Sequence, residues 1–160
     1  FVFPSFSTEK KTAWILGSAP ISFTKIFYSK YVFYTLFFVF IGSVMGYVNV
    51  TILNLAFTYA LLSMSLFITT VIFIVTLGLS LGALFPSTET DDPEAISTSM
   101  PGLFFTALSL IYGGISALVL YITLIKGVVP VLVLFEIATL LFAGIMLLKT
   151  PAIVKKAMRA

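Results

Sequence analysis

The feature that most constrains this chain is a run of 58 residues, positions 31–88, that contains no Asp, Glu, Lys or Arg. One crossing of a bilayer by an α-helix takes about 20 apolar residues, so the run is long enough for two crossings and a short turn. The chain is 60% hydrophobic and 9% charged, whereas soluble domains are about 25% charged. The sequence therefore predicts an integral membrane protein that lies in the lipid bilayer.

The rest of the chain extends this pattern to four spans. A second uncharged run, positions 95–125, opens near Pro101, and the last apolar stretch follows Lys126 with Glu136 as its only charged residue. Every backbone N–H and C=O in hydrocarbon must be bonded within its own segment, which favours helices. The predicted fold class is an all-α, polytopic helical membrane protein, a single transmembrane domain over 1–160 with spans at about 31–51, 57–85, 101–125 and 128–148.

Basic residues indicate the orientation of these spans. Eight of the nine fall on one side of a four-span topology: Lys10, Lys11, Lys25, Lys30, Lys149, Lys155, Lys156 and Arg159. Because cytoplasmic segments carry an excess of Lys and Arg, both ends are expected in the cytoplasm, with the chain in the plasma membrane. No basic patch is interleaved with exposed aromatic residues, so nucleic acid is not an expected partner.

Residues 7–19 predict a short cytoplasmic helix before the first span. Ser7 or Thr8 can cap it, and Glu9 lies in the first turn, where the helix dipole favours an acid. Pro20 ends it, since proline lacks the N–H that a continuing helix needs.

This helix is amphipathic. An apolar stripe at helical spacing contains Thr12, Ile15, Leu16 and Ala19. Lys10 and Lys11 lie off the stripe. The residues alone leave two interpretations open: an interfacial anchor with Trp14 at headgroup level, or a helix that docks on a cytoplasmic partner.

Two pairs of glycines are spaced four residues apart: Gly42 and Gly46 in the first span, and Gly78 and Gly82 in the second. Such a pair forms a flat helix face that another backbone can approach closely. The spacing predicts helix packing, either between spans of one chain or in a dimer with a second copy.

Glu136 is the one ionisable residue well inside a predicted span. An ionised carboxylate in hydrocarbon is costly, so the side chain should be protonated, paired or in contact with a wet cavity. One interpretation is a proton-coupling site or a polar point on a substrate path. The other is a neutral acid that is hydrogen-bonded across helices, for example to Ser or Thr.

A loop between the second and third spans contains four of the six acidic residues, Glu89, Asp91, Asp92 and Glu94. Asp92 as cap, followed by Pro93 and Glu94, predicts the start of a short helix. A hard cation such as Ca²⁺ is an alternative for such a cluster. The ligand spacing of a calcium loop is missing, however, which favours a solvated, capped loop or an electrostatic contact with Lys10 and Lys11.

Several kinds of chemistry have no residues here to support them. The chain contains no Cys and no His, and the phosphate-binding pattern GxxxxGK[ST] is absent. The sequence therefore predicts no metal, no cofactor and no enzymatic activity of its own.

Two stretches resemble ABC-type exporter permeases of bacteria and archaea. The first contains Glu9-Lys10-Lys11, Trp14-Ile15-Leu16 and Ala19-Pro20-Ile21-Ser22, ahead of Lys25, Lys30 and a span. The second contains Leu81-Gly82-Ala83-Leu84-Phe85-Pro86, then Asp92-Pro93 and Gly102. Together they cover about a quarter of the chain, in register with the four spans. The resemblance is to the C-terminal portion of such a permease, so further spans are expected before Phe1.

The resemblance implies a role for the amphipathic helix. In that family a cytoplasmic helix between spans contacts the ATP-binding subunit, which makes Glu9 through Pro20 the candidate docking surface. Its candidate residues are Glu9, Lys10, Lys11, Trp14, Ile15, Leu16 and Pro20. The expected partners are an ATP-binding cassette subunit and either further spans of the permease or a second copy.

The predicted function is the membrane-spanning subunit of an ATP-driven exporter. Two alternatives from other classes stay open: a proton-coupled secondary transporter that uses Glu136, and a membrane scaffold that assembles through its GxxxG faces.

Overall fold

The computed structural model describes residues 2–6, 22–54, 56–86 and 92–157, and all regular structure in these ranges is helical. A 3₁₀ helix, Phe3–Phe6, precedes five α-helices: α1 (Phe23–Leu53), α2 (Phe57–Leu84), α3 (Pro93–Thr98), α4 (Met100–Lys126) and α5 (Val129–Ala157). The predicted all-α class is confirmed. Helices α1, α2, α4 and α5 are each long and apolar enough to cross a membrane. The amphipathic helix predicted at 7–19 lies outside the described residues.

Helix α2 lies at the centre of the bundle. Its packing partners are α5, α1, α4 and the 3₁₀ helix, and α1 and α4 also contact α5. Every residue of α2 from Val75 to Ala83 is buried. The short connections at Asn54 and Gly127 mark one end of the bundle, here called the turn end. The 3₁₀ helix and α3 lie at the opposite end, here called the loop end.

The connections at the turn end use left-handed backbone conformations. Asn54 follows α1 with φ of 49°, and its N–H bonds to the carbonyl of Val50. Gly127 follows α4 with φ of 68° and bonds to the carbonyl of Thr123. Glycine and asparagine are the residues that adopt this conformation most readily, so both helices end at positions suited to a sharp turn.

The short helix α3 begins as predicted. The carboxylate of Asp92 accepts a hydrogen bond of 3.0 Å from the backbone N–H of Glu94, and Pro93 occupies the first helical position. The Asp92 cap is therefore confirmed. Glu89 and Asp91 lie outside the described residues. No group of three or more candidate metal ligands occurs among the residues that the structure describes.

Helix α5 continues past the predicted end of the last span, through Pro151, to Ala157. Proline has no N–H to donate to the carbonyl four residues earlier, here that of Leu147. The hydroxyl of Tyr28 on α1 donates to this carbonyl oxygen at 3.2 Å. A side chain from another helix thus replaces the backbone donor that Pro151 lacks, and both Thr150 and Pro151 are buried.

Buried hydroxyl groups in the spans bond mostly within their own helix. Thr69, Thr76, Ser116, Thr123 and Thr139 each donate to the carbonyl four residues earlier, at 2.7–3.0 Å. Such bonds satisfy a hydroxyl without water. They explain how a bundle with so many Ser and Thr residues is compatible with hydrocarbon.

Candidate functional site

The predicted docking residues, Glu9 through Pro20, lie outside the described residues. The structure does describe the two points where the chain enters and leaves this segment, at Phe6 and Ser22. The ring of Phe6 lies 5.6 Å from that of Phe23 and 6.0 Å from that of Phe27, measured between centroids. Phe27 is fully buried. The two ends of the intervening segment therefore meet at one aromatic contact on α1.

Lys30 reinforces this contact. Its ammonium group donates a hydrogen bond of 2.6 Å to the carbonyl oxygen of Ser5 and lies 4.4 Å from the centroid of the Phe6 ring. Cation–π contacts contribute about 0.5–2 kcal/mol, more where the site is desolvated, and Lys30 is partly buried. Phe6, Phe23, Phe27 and Lys30 are called the base cluster below.

The 3₁₀ helix, whose last residue Phe6 belongs to the base cluster, packs on α2 and α4. A Cβ atom at Gly82 would meet the carbonyl oxygen of Phe3, so glycine permits the backbone of the 3₁₀ helix to lie against α2. A Cβ atom at Gly78 would lie 3.0 Å from Val2 and 3.1 Å from Phe105. The Phe3 ring stacks on Phe105 of α4, with centroids 5.8 Å apart.

These contacts make the 3₁₀ helix a link between three spans. It is held to α1 through Lys30, to α2 through Gly82 and to α4 through Phe105. The start of α1 is also tied to α5 through Tyr28. The 3₁₀ helix therefore contacts three of the four long helices, and the fourth is joined to α1 through Tyr28.

The other glycine pair packs on α2 as well. A Cβ atom at Gly42 would meet the ring of Phe67, and one at Gly46 would lie 3.5 Å from the sulfur of Met64. By contrast, a Cβ atom added at Gly113 or Gly114 of α4 would have no neighbouring atom within 4 Å among the described residues.

Glu136 lies in the part of α5 nearer the turn end, where it faces α2. Its Oε1 atom is 2.9 Å from the Ser65 hydroxyl, which donates to it. The contact matches the interpretation of Glu136 as a carboxyl group hydrogen-bonded across helices to a Ser or Thr.

The Ser65 hydroxyl has two acceptor oxygens within hydrogen-bond distance. The Ser65 oxygen also lies 3.0 Å from the carbonyl oxygen of Leu62. A hydroxyl carries one proton, so Ser65 can donate fully to only one of the two oxygens. The Ser65 proton is therefore divided between the Glu136 carboxyl oxygen and the Leu62 carbonyl oxygen.

Tyr112 of α4 contacts residues of both α2 and α5. Its ring stacks on Phe73 at 4.1 Å and on Phe135 at 5.6 Å, and its hydroxyl donates to Thr139 at 3.3 Å. Tyr112 thus joins α4 to both α2 and α5, and its α5 partners are one and three positions from Glu136 in sequence.

Sequence reasoning missed the 3₁₀ helix and the base cluster. It used Lys30 as a charge that sets orientation and as part of the family resemblance, and gave no role to Phe3 or Phe6. The available signal was the cluster of three phenylalanines and a proline in FVFPSF, ahead of the polar segment. Such a cluster next to charged residues indicates a segment that packs on the protein.

Comparison with known families identifies the group to which the chain belongs. A family model described as "Putative ATP-binding cassette" matches residues 1–159. The chain belongs to this family. Comparisons with curated proteins and with solved structures gave no match. With its four apolar helices, this member of the family is a membrane component of an ABC transport system.

Proposed function

We propose that this chain is the membrane-spanning permease subunit of an ATP-driven exporter and that a separate subunit binds and hydrolyses ATP. Membership of an ATP-binding cassette family supports the coupling to ATP. GxxxxGK[ST] is absent from these 160 residues, so the proposal places the nucleotide site outside them. The chain itself is then a transport subunit and not an enzyme.

The observation that carries the proposal is the base cluster. A helix that couples a partner's motion to the spans must be attached to those spans rigidly at both ends. Phe6 and Phe23, at the two ends of the segment that contains Trp14, are in ring contact. Lys30 bonds the chain on one side of this segment to the helix on the other.

In this proposal, residues 9–20 dock on the ATP-binding subunit, with Trp14, Ile15 and Leu16 as the apolar contacts. Movement of the docked segment pulls on α1 directly and on α2 and α4 through the 3₁₀ helix. The eight basic residues that share one side of the topology support a cytoplasmic location for this segment, with the chain in the plasma membrane.

The test is association of the ATP-binding subunit with a variant that carries Trp14→Glu and Leu16→Glu. Val128→Glu, which also replaces an apolar residue with an acid but lies at the turn end, is the matched control. We expect the double variant to insert normally and lose the subunit during purification, while the control retains it. Equal retention by both variants would show that residues 9–20 are not the docking surface.

A further inference from the structure

A series of direct contacts leads from the base cluster to the interior of α5. The ring of Phe6 stacks on that of Phe27, with centroids 6.0 Å apart. The rings of Phe27 and Tyr28 meet edge to face at 5.9 Å, and the hydroxyl of Tyr28 donates to the carbonyl oxygen of Leu147. The end of the 3₁₀ helix is therefore connected to the turn of α5 that contains Pro151.

Pro151 weakens α5 at this turn. A proline inside a helix lacks the N–H for the carbonyl four residues earlier, and its ring also crowds that carbonyl. Proline is for this reason a common cause of sharp bends in helices. Here the carbonyl of Leu147 has the Tyr28 hydroxyl as its donor instead. Loss of this bond would favour a bend of α5 between Leu147 and Pro151.

The residues of α5 beyond Pro151 make few buried contacts. Of residues 152–156, Val154 alone is not exposed, and it packs on the apolar cluster that includes Phe27. On the other side of the turn, Leu147 packs on this cluster and Met146 packs on a second one. A segment with few buried contacts moves at little cost in packing. When α5 bends, the residues beyond Pro151 are therefore the part that moves.

The bent and unbent arrangements of α5 differ mainly by one hydrogen bond, that between Tyr28 and Leu147. A side-chain hydrogen bond between membrane helices shifts an equilibrium by about threefold to twentyfold. Binding of a partner can reverse a difference of this size if the partner favours one arrangement. Because Phe27 and Tyr28 are adjacent in one helix, a shift of the base cluster also moves the Tyr28 hydroxyl.

We propose that Tyr28 is a positioning residue through which the docked segment controls a bend in α5 at Pro151. While Tyr28 donates to Leu147, α5 continues as one helix to Ala157. When the base cluster shifts, the hydroxyl leaves Leu147 and the residues beyond Pro151 change direction. The bend requires only contacts within this chain, whereas its control by ATP rests on the proposed function.

The experiment measures the distance between two spin labels on the full chain by double electron–electron resonance. These 160 residues contain no cysteine, so Leu103→Cys on α4 and Lys156→Cys on α5, both at exposed positions, supply the labelled sites. The pair is measured with Tyr28 intact, with Tyr28→Phe, and with Tyr28→Phe combined with Pro151→Ala. Tyr31→Phe removes a hydroxyl from a residue packed on the same apolar cluster and is the matched control. Thermal unfolding verifies that each variant is folded.

We expect Tyr28→Phe to populate a second distance and to raise the ratio of bent to unbent chains about threefold to twentyfold. Adding Pro151→Ala should remove the second distance, because alanine supplies the N–H that the Leu147 carbonyl lacks. Tyr31→Phe should leave the distances unchanged. An unchanged single distance with Tyr28→Phe, its persistence as a second distance with Pro151→Ala, or the same second distance with Tyr31→Phe would overturn the proposed bend.

The same labels test the control of the bend in the complex with the ATP-binding subunit. We expect ATP with vanadate to change the ratio of the two distances when Tyr28 and Pro151 are intact, and to leave it unchanged with Pro151→Ala. No change in the first case, or an equal change in the second, would refute control by ATP and leave the permease assignment intact. A bend in a chain that never associates with such a subunit would refute the permease assignment and this control, but not the bend.

Discussion

The hydroxyl of Tyr28 donates a hydrogen bond of 3.2 Å to the carbonyl oxygen of Leu147, the carbonyl that Pro151 leaves without a backbone donor. The bond joins the start of α1 to the final third of α5. The backbone hydrogen bond that Pro151 removes from α5 is thus replaced by one from a side chain more than a hundred residues away in sequence.

Tyr28→Phe tests this relationship. The variant leaves a partly buried carbonyl without a donor, so we expect a loss of about 1–2 kcal/mol in the free energy of unfolding. In a Pro151→Ala background, the alanine supplies the missing N–H, and the same change should cost less than about 0.5 kcal/mol. Denaturation in detergent measures both. An equal cost in the two backgrounds would show that Pro151 is not the reason for the bond.

Gly82→Ala tests the packing of the 3₁₀ helix on α2. The added Cβ would meet the carbonyl oxygen of Phe3, which belongs to the backbone and cannot rotate away. We expect a loss of about 1–3 kcal/mol, as for overpacked interiors. Gly114→Ala, at a position with open space around it, should change stability by no more than about 0.5 kcal/mol. Similar thermal midpoints for the two variants would contradict the close packing of the 3₁₀ helix on Gly82.

Gly42→Ala tests the packing of α1 on α2. Because a Cβ at Gly42 would meet the Phe67 ring whereas one at Gly46 has ordinary contact with Met64, Gly42→Ala should be more destabilising than Gly46→Ala by about 1–3 kcal/mol. Phe67→Leu should recover part of this loss in the double variant. If the scaffold alternative holds instead, Gly46→Leu would change the oligomeric state, which size-exclusion chromatography with light scattering would detect.

Glu136→Gln and Glu136→Leu together test the contact with Ser65. The glutamine side chain keeps a carbonyl oxygen that can accept from Ser65, so the first variant should be close to wild type in stability. Leucine cannot hydrogen-bond, and its variant should lose about 0.6–1.7 kcal/mol, the range seen for hydrogen bonds between membrane helices. Ser65→Ala should have little further effect in the leucine background.

The same glutamine variant distinguishes two functions. If transport is driven by ATP and Glu136 is structural, Glu136→Gln retains transport. In a secondary transporter that carries a proton on Glu136, it would abolish pH-dependent transport.

Much of this fold follows from where charges are missing. The uncharged runs at 31–88 and 95–125 predict long apolar helices because a charged side chain in hydrocarbon is costly. Asp92-Pro93-Glu94 also predicted the start of α3, because a capping side chain bonds to backbone groups only one or two residues away. Both signals depend only on residues close together in sequence.

The features that sequence reasoning missed depend on distant residues. The continuation of α5 past Pro151 is stabilised by the hydroxyl of Tyr28 on α1. The backbone of the 3₁₀ helix can lie against α2 because Gly82 has no side chain there. One of the two interpretations of Glu136 expected a partner such as Ser or Thr on another helix. The spans contain many Ser and Thr residues, and only the packing of α5 on α2 selects Ser65. The residues proposed for docking, Trp14 among them, remain predictions.

The most direct test is purification of the tagged full-length protein from its native membrane in mild detergent, with mass spectrometry of what accompanies it. A permease subunit predicts an ATP-binding subunit in stoichiometric amount and ATP hydrolysis in the purified complex. A well-folded preparation that reproducibly lacks any ATP-binding subunit would contradict the proposed function and make Glu136 the first residue to study.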